Sequence, residues 1–207
     1  MKEIFKNVRE KLVAKYLDNN NSKNTKKFKP RFKARIRKNK QIIGKNIDNL
    51  FDWIKGAKLV ELKKCNTSED PVRPELDNVF RRSYGRKIYG VKYGGEIHAV
   101  MCFAYTNQIP KSVDELDKFS HDAYLQSAQR DQNIGQIAIA YTVWSKKKGG
   151  GKLIVKEVFK KIKRSNHLNR LVTLSPLTEM ATKFHSRNGA KILQINENTQ
   201  NFEYKIL

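Results

Sequence analysis

The densest cluster of groups able to do chemistry is Trp144-Ser145-Lys146-Lys147-Lys148-Gly149-Gly150-Gly151-Lys152-Leu153. Three successive glycines let the backbone turn tightly, so that amide N–H groups can point into a phosphate. A helix starting there adds its partial positive charge, and Lys146, Lys147, Lys148 and Lys152 add full ones. The pattern is that of a pyrophosphate cradle. It lacks the spacing of a P-loop and of a dinucleotide-binding turn, and a plain flexible connection would use the same glycines. A second cluster is Lys27-Phe28-Lys29-Pro30-Arg31-Phe32-Lys33-Ala34-Arg35-Ile36-Arg37. In an extended chain Lys27, Lys29, Arg31, Lys33, Arg35 and Arg37 share one edge, and Phe28, Phe32 and Ile36 the other. Such an arm suits a nucleic-acid backbone or another polyanion, with bases on the phenylalanines. A solvated tail is the plain alternative.

The 207 residues carry 43 Lys and Arg against 20 Asp and Glu, a net charge of +23. That excess favours polyanionic partners: nucleic acid, anionic lipid or phosphorylated cofactors. It equally describes a lysine-rich soluble surface. No run is apolar enough to span a membrane, and the N-terminus lacks the apolar core of a secretory signal. Cys65 and Cys102 are too few for a disulfide framework or a metal cluster, and His98, His121 and His167 show no metal-ligand spacing. No metal is expected, and the setting is expected to be reducing and cytoplasmic, in a bacterium or in a virus-infected cell.

Residues 1–50 hold sixteen basic and four acidic residues, about half the net charge. Residues 1–57 therefore read as a basic extension and 58–207 as the globular unit. In the extension, Ile4, Val8, Leu12 and Tyr16 form a helical stripe, residues 19–25 a polar linker, and 47–55 a second short helix. From Lys58 strands alternate with helices. Strands are expected at 59–63, 87–93, 96–105, 134–144, 170–174, 191–195 and 202–206. Helices are expected at 74–82, 112–120, 149–163 and 176–187. Ser112 and Glu115 form a capping box, and Ser175-Pro176 read as N-cap and first residue of the 176–187 helix. Asn188-Gly189 ends that helix. The order suits a mixed α/β sandwich.

Lys146, Gly149 and Gly151, set between a central strand and a long helix, resemble the coenzyme A (CoA) pyrophosphate loop of the GNAT superfamily. That resemblance implies a mixed, mostly antiparallel sheet flanked by helices. It also implies that Ile139 to Val143 and Val172 to Leu174 splay apart to admit the pantetheine arm. The cofactor contacts would then come from Val143, Lys146, Lys148, Gly149, Gly150, Gly151, Lys152 and Asn188. The segments Leu174-Ser175-Pro176 and Phe184-His185-x-x-Asn188-Gly189-Ala190 are further similar to the catalytic core of malonyl-CoA decarboxylase, over roughly residues 95–195. That similarity implies that Ser175 and His185 hold the malonyl carboxylate and protonate the enolate left by CO2. Thr142 stands where the family carries serine. Stabilising a developing oxyanion and donating a proton are what such a decarboxylation needs.

The sequence departs from the decarboxylases in several ways. Their helical N-terminal domain and C-terminal active-site segment have no counterpart, and Gly149 replaces a glutamate. Only nine residues separate Ser175 from His185. A straight helix from Pro176 would hold the two ~14 Å apart, at ~1.5 Å per residue, too far to work as a pair unless the helix starts late. His185 also occupies the place of the tyrosine acid of GNAT transferases, a role its ordinary pKa near 6.5 would allow. The expected function is an enzyme acting on an acyl-CoA, as a decarboxylase or an acyltransferase. The other reading is a catalytically degenerate GNAT scaffold that binds nucleic acid through its basic arm, in a virion or ribonucleoprotein.

Overall fold

The computed structural model describes residues 52, 53, 55–130 and 134–205. The expected N-terminal helix, the linker and the basic arm with Lys27, Lys29, Arg31, Lys33, Arg35 and Arg37 lie outside the described residues. Residues 57–207 form one unit, built on an eight-stranded sheet of order β1-β2-β3-β4-β5-β8-β6, with β7 on β8.

The strands are β1 (Lys58–Leu62), β2 (Lys87–Tyr93), β3 (Glu96–Thr106), β4 (Ile137–Ser145), β5 (Arg170–Thr173), β6 (Ser175–Pro176), β7 (Lys191–Ile195) and β8 (Thr199–Tyr204). All ladders are antiparallel except β4 with β5. The helices are α1 (Val113–Arg130), α2 (Gly150–Lys163) and α3 (Glu179–Arg187). β3 is apolar on both faces because both are covered. On one face Val100, Cys102 and Ala104 pack with Leu116 of α1 and with Ile139 and Val172. On the other, Ala99 lies under Gly150 at the start of α2.

Two features of the backbone open the sheet. Cys102 pairs with Thr142 and Phe103 with Ala140, so Tyr141 is the extra residue of a β-bulge. A bulge bends its strand and increases the local twist. On the other side, β5 pairs with β4 only from Ile137 to Ala140, and Leu174 N–H donates to the Ala140 carbonyl at 2.9 Å. The chain then crosses to β8, where Ser175 pairs with Gln200 and Pro176 with Thr199. β4 runs on to Ser145, so the two strands separate beyond Ala140.

The expected N-cap at Ser175 is corrected here. Pro176 biases the residue before it towards an extended backbone, and β6 lies at the end of the sheet order, where proline is tolerated. β6 ends at Pro176, the chain turns tightly at Leu177 with Thr178 N–H donating to the Pro176 carbonyl at 2.9 Å, and the Thr178 hydroxyl, which accepts from Ala181 N–H at 3.2 Å, is the true N-cap of α3. Gln200 holds this late start in place: its Nε2 donates to the carbonyls of Pro176 at 2.9 Å and Thr178 at 3.3 Å.

The helix expected at 74–82 is also absent. Pro71 and Pro74 lack donors, Asp70 takes the amides of Val72 and Arg73, and Asp77 takes that of Phe80. Only a 3-10 turn, Phe80–Gly85, forms. α1 runs ten residues past its expected end at Ser120. Ser112 caps it through Glu115 N–H at 3.1 Å, while Glu115 reaches back to Lys111 N–H, one residue earlier than a capping box would place it. Among the described residues no helix is long and apolar enough to cross a membrane.

Thr178→Ala is expected to cost about 1 kcal/mol, the usual worth of such a cap, measured by urea unfolding. An unchanged midpoint would mean that the late helix start is set elsewhere.

Candidate active site

The opening between β4 and β5 holds a cavity of about 370 Å³ whose walls are mostly apolar. Ser175, His185, Thr142, Val143, Lys146 and Gly151 all line it. The late start of α3 folds His185 back onto Ser175, and the predicted ~14 Å separation along a straight helix does not occur. His185 Nε2 lies 2.8 Å from Ser175 Oγ. The two side chains are buried, with residue exposures of 5% and 4%.

His185 is fixed on every side. Its Nδ1 lies 3.0 Å from the Tyr204 hydroxyl, it stacks on Phe202, and it meets Phe184 edge-on. Ser175 Oγ donates to Thr173 Oγ1 at 3.1 Å, and Thr173 Oγ1 also accepts from Phe202 N–H at 3.1 Å. Tyr204, His185, Ser175 and Thr173 therefore form one hydrogen-bonded chain along the cavity wall, with Ser175 Oγ bridging Thr173 Oγ1 and His185 Nε2.

Burial pushes His185 down to about 4 from its ordinary 6.5, because the low-dielectric surroundings disfavour the charged ring. The imidazolium acid expected from its ordinary pKa is therefore not the resting form at pH 7. His185 is neutral there. Burial also raises the Tyr204 phenol above its usual range.

The opposite wall is organised by a buried ion pair that sequence reasoning missed. Asp70 and Arg81 are almost fully buried and meet at 2.8 Å. Arg81 also donates to the carbonyls of Leu76 and Arg73 and to Cys102 Sγ at 3.3 Å. Cys102 is thus a buried small residue, as expected, that also accepts a charge-assisted contact. Thr142 donates to the Asp70 carboxylate at 2.8 Å, so its hydroxyl is held on this wall. Arg73 donates to the carbonyl of Tyr141, the bulge residue.

The glycine loop sits at the rim. Gly149 has φ 83°, in the left-handed region, and precedes α2 with no side chain capping the helix end. A Cβ on Gly151 would lie 3.1 Å from the Phe184 ring, so glycine there lets α2 approach α3. Lys146 pairs with Glu69 at 2.6 Å. Lys148, Gly149, Gly150 and Lys152 are on the loop and first helical turn but outside the cavity lining. Asn188 is not brought to the cavity: its Nδ2 donates to the Phe184 carbonyl at 2.8 Å and it ends α3.

No protein-family profile and no curated protein matches the chain. Solved structures do match in fold. They include the GNAT-like decarboxylase GphF in complex with isobutyryl-CoA, with a TM-score of 0.54 and 10% identity over 72% of this chain and 100% of that one. The loading GNATL domain of CurA from Lyngbya majuscula matches with a TM-score of 0.52 and 12% identity, over 72% and 98%. Malonyl-CoA decarboxylase from Cupriavidus metallidurans matches with a TM-score of 0.43 and 19% identity over 69% of this chain. The match spans only 37% of that decarboxylase. The fold of residues 57–207 is that of the GNAT proteins.

Because the folded-state pKa of His185 lies below 6.5, the unfolded chain binds the extra proton between about 4 and 6.5. The stability that this neutral histidine secures is complete above 6.5 and is lost as the pH falls towards 4. The stability difference between the protein and His185→Gln is expected to shrink over that window, followed by denaturant unfolding at each pH. Parallel curves would contradict a buried neutral histidine.

Proposed function

We propose that residues 57–207 bind an acyl-CoA with its pantetheine arm in the β4–β5 opening and decarboxylate a malonyl-type acyl group at Ser175 and His185. The observation that carries this reading is the buried 2.8 Å contact between Ser175 Oγ and His185 Nε2 at the cavity wall. The glycine loop at its rim offers α2's uncapped N-terminus and lysine charge to the pyrophosphate. The fold likeness to a GNAT-like decarboxylase that holds isobutyryl-CoA supports it at the level of the fold.

In the reaction the bond from the carboxylate carbon to the acyl α-carbon breaks. Its electron pair moves into the thioester to form an enolate, and CO2 leaves. The α-carbon then takes a proton, and the reaction as a whole consumes one proton from solvent. No nucleophile is needed. A dry, apolar cavity favours loss of a carboxylate, and neutral donors suffice for the rest. The Ser175 hydroxyl and the neutral His185 ring are the donors at the cavity wall, and Thr173 and Tyr204 hold them in place. Acyl transfer to an amine would need a base as well, to take the proton of the attacking amine.

Carboxyl-labelled malonyl-CoA is expected to release labelled CO2 with the full chain. Ser175→Ala should lower kcat by about 100-fold or more, the usual worth of a positioned proton donor, with KM little changed. Acyl transfer to amines without CO2 release would replace decarboxylation by transfer. Neither activity would remove the enzyme reading.

A further inference from the structure

Cys65 and Cys102 are the only two cysteines of the chain, and the fold brings them together from different elements. Cys102 is fully buried in the middle of β3. Cys65 is half-buried in the irregular stretch between β1 and the 3-10 turn Thr67–Glu69. It packs against the apolar cluster that contains Cys102, and the two thiols share a hydrogen bond. Both are free thiols, and the reaction proposed above uses neither.

Each sulfur has its own surroundings. Arg81 Nη1 donates to Cys102 Sγ at 3.3 Å, so a buried cation faces the buried sulfur. Asn78 clamps Cys65. The Cys65 N–H donates to Asn78 Oδ1 at 2.9 Å, Asn78 Nδ2 donates to the Cys65 carbonyl at 3.0 Å, and the Cys65 thiol lies 3.6 Å from the same Oδ1. The hydrogen bond with Cys102, helped by the Arg81 charge, holds the Cys65 thiol below its ordinary range, against burial and the charges of Asp70 and Glu69. Burial pushes the Cys102 thiol the other way. Cys65 is therefore both the more exposed and the more acidic of the two, and the thiolate is the form that reacts.

We propose that Cys65 and Cys102 are a peroxide-oxidised dithiol, with Cys65 as the attacking thiol and Cys102 as the resolving one. The Cys65 thiolate attacks one oxygen of hydrogen peroxide and the O–O bond breaks. Cys65 becomes a sulfenic acid, and the hydroxide released takes up the thiol's proton to form water. The Cys102 sulfur then attacks the Cys65 sulfur. The S–S bond forms, the S–O bond breaks, and the hydroxyl leaves with the Cys102 proton as a second water. Two thiols and one peroxide give one disulfide and two waters. A disulfide bond is about 2.05 Å long, so the sulfurs must draw closer than a hydrogen bond holds them. Cys65 lies outside any helix or strand, and its loop takes up that movement while β3 stays in place. The same loop leads to Asp70 and to Pro71 and Val72 of the cavity lining, so the disulfide ties that wall to β3. In a reducing setting such a bond is transient and responds to oxidant rather than holding the fold together.

The test treats the full, reduced chain with a small excess of hydrogen peroxide, alkylates the remaining thiols and maps the peptides by mass spectrometry without reduction. The expected product is a monomer that has lost two hydrogens, with the Cys65 and Cys102 peptides joined. Both thiols are then closed to alkylation, and dithiothreitol restores both. Cys102→Ser removes the resolving thiol, so Cys65 sulfenic acid accumulates and is captured by dimedone. Cys65→Ser leaves the buried Cys102 unchanged by peroxide and open to alkylation only on unfolding. Circular dichroism checks the fold of both variants, and the mapping of the unaltered chain decides the matter even where a variant fails to fold. Two free thiols after the treatment would overturn the proposal. So would linkage between chains in place of linkage within one, or sulfinic acid at Cys65 beside a free Cys102. The readout is independent of any acyl-CoA activity.

Discussion

The parting of β4 and β5 after Ala140 is the constraint on which the rest of the unit depends. A sheet interior normally spends its backbone hydrogen bonds on neighbouring strands. Here a bulge at Tyr141 and the early departure of β5 towards β8 free the end of β4, and the cavity lies in the gap. The same departure creates β6 and delays α3 until Thr178. That delay is what lets a helix residue ten positions downstream reach Ser175. Gln200 and Asn201 of β8 secure the arrangement from beneath, since Asn201 donates to the carbonyls of Thr173 and Pro110.

Two polar systems stand by the mostly apolar cavity, Ser175 and His185 in its wall and the Asp70–Arg81 pair behind Thr142, and each is closed in a different way. The Asp70–Arg81 pair is charged and buried, and such a pair survives only when its remaining donors and acceptors are used. They are used on two amides, the Thr142 hydroxyl, two carbonyls and a thiol. The Ser175–His185 system is neutral, because burial removes the proton that would charge the ring. A neutral pair beside a mostly apolar pocket suits the proposed reaction, in which the substrate brings the charge and loses it as CO2 leaves.

The sheet was largely legible from short two-sided apolar runs set off by turn residues such as Gly94-Gly95, and α2 from its glycine start. Ser175 and His185 were legible only through a family resemblance, because their separation depends on where α3 begins. That start is set by the Thr178 cap together with Gln200, which is distant in sequence and leaves no local signal of its own. Tyr204 shares a strand face with Phe202, and that alternation could have pointed it inward, but only the fold shows that it meets His185. Asp70, Arg73 and Arg81 lie in an irregular segment with two prolines. No periodicity marks them, and a helix was expected there in error. Asn188, read for a cofactor, closes α3 through its Nδ2 and borders a pocket next to α2 rather than the β4–β5 cavity.

Calorimetric titration of malonyl-CoA into the protein and into Gly151→Asp, with circular dichroism confirming both folds, tests most directly whether the β4–β5 opening is the thioester site. The substitution would place a carboxylate between the glycine loop and Phe184, where the account seats the phosphate end of the arm. Saturable heat with the wild type and its loss in the variant are predicted. No heat with the wild type, or equal binding in both, would contradict the assignment.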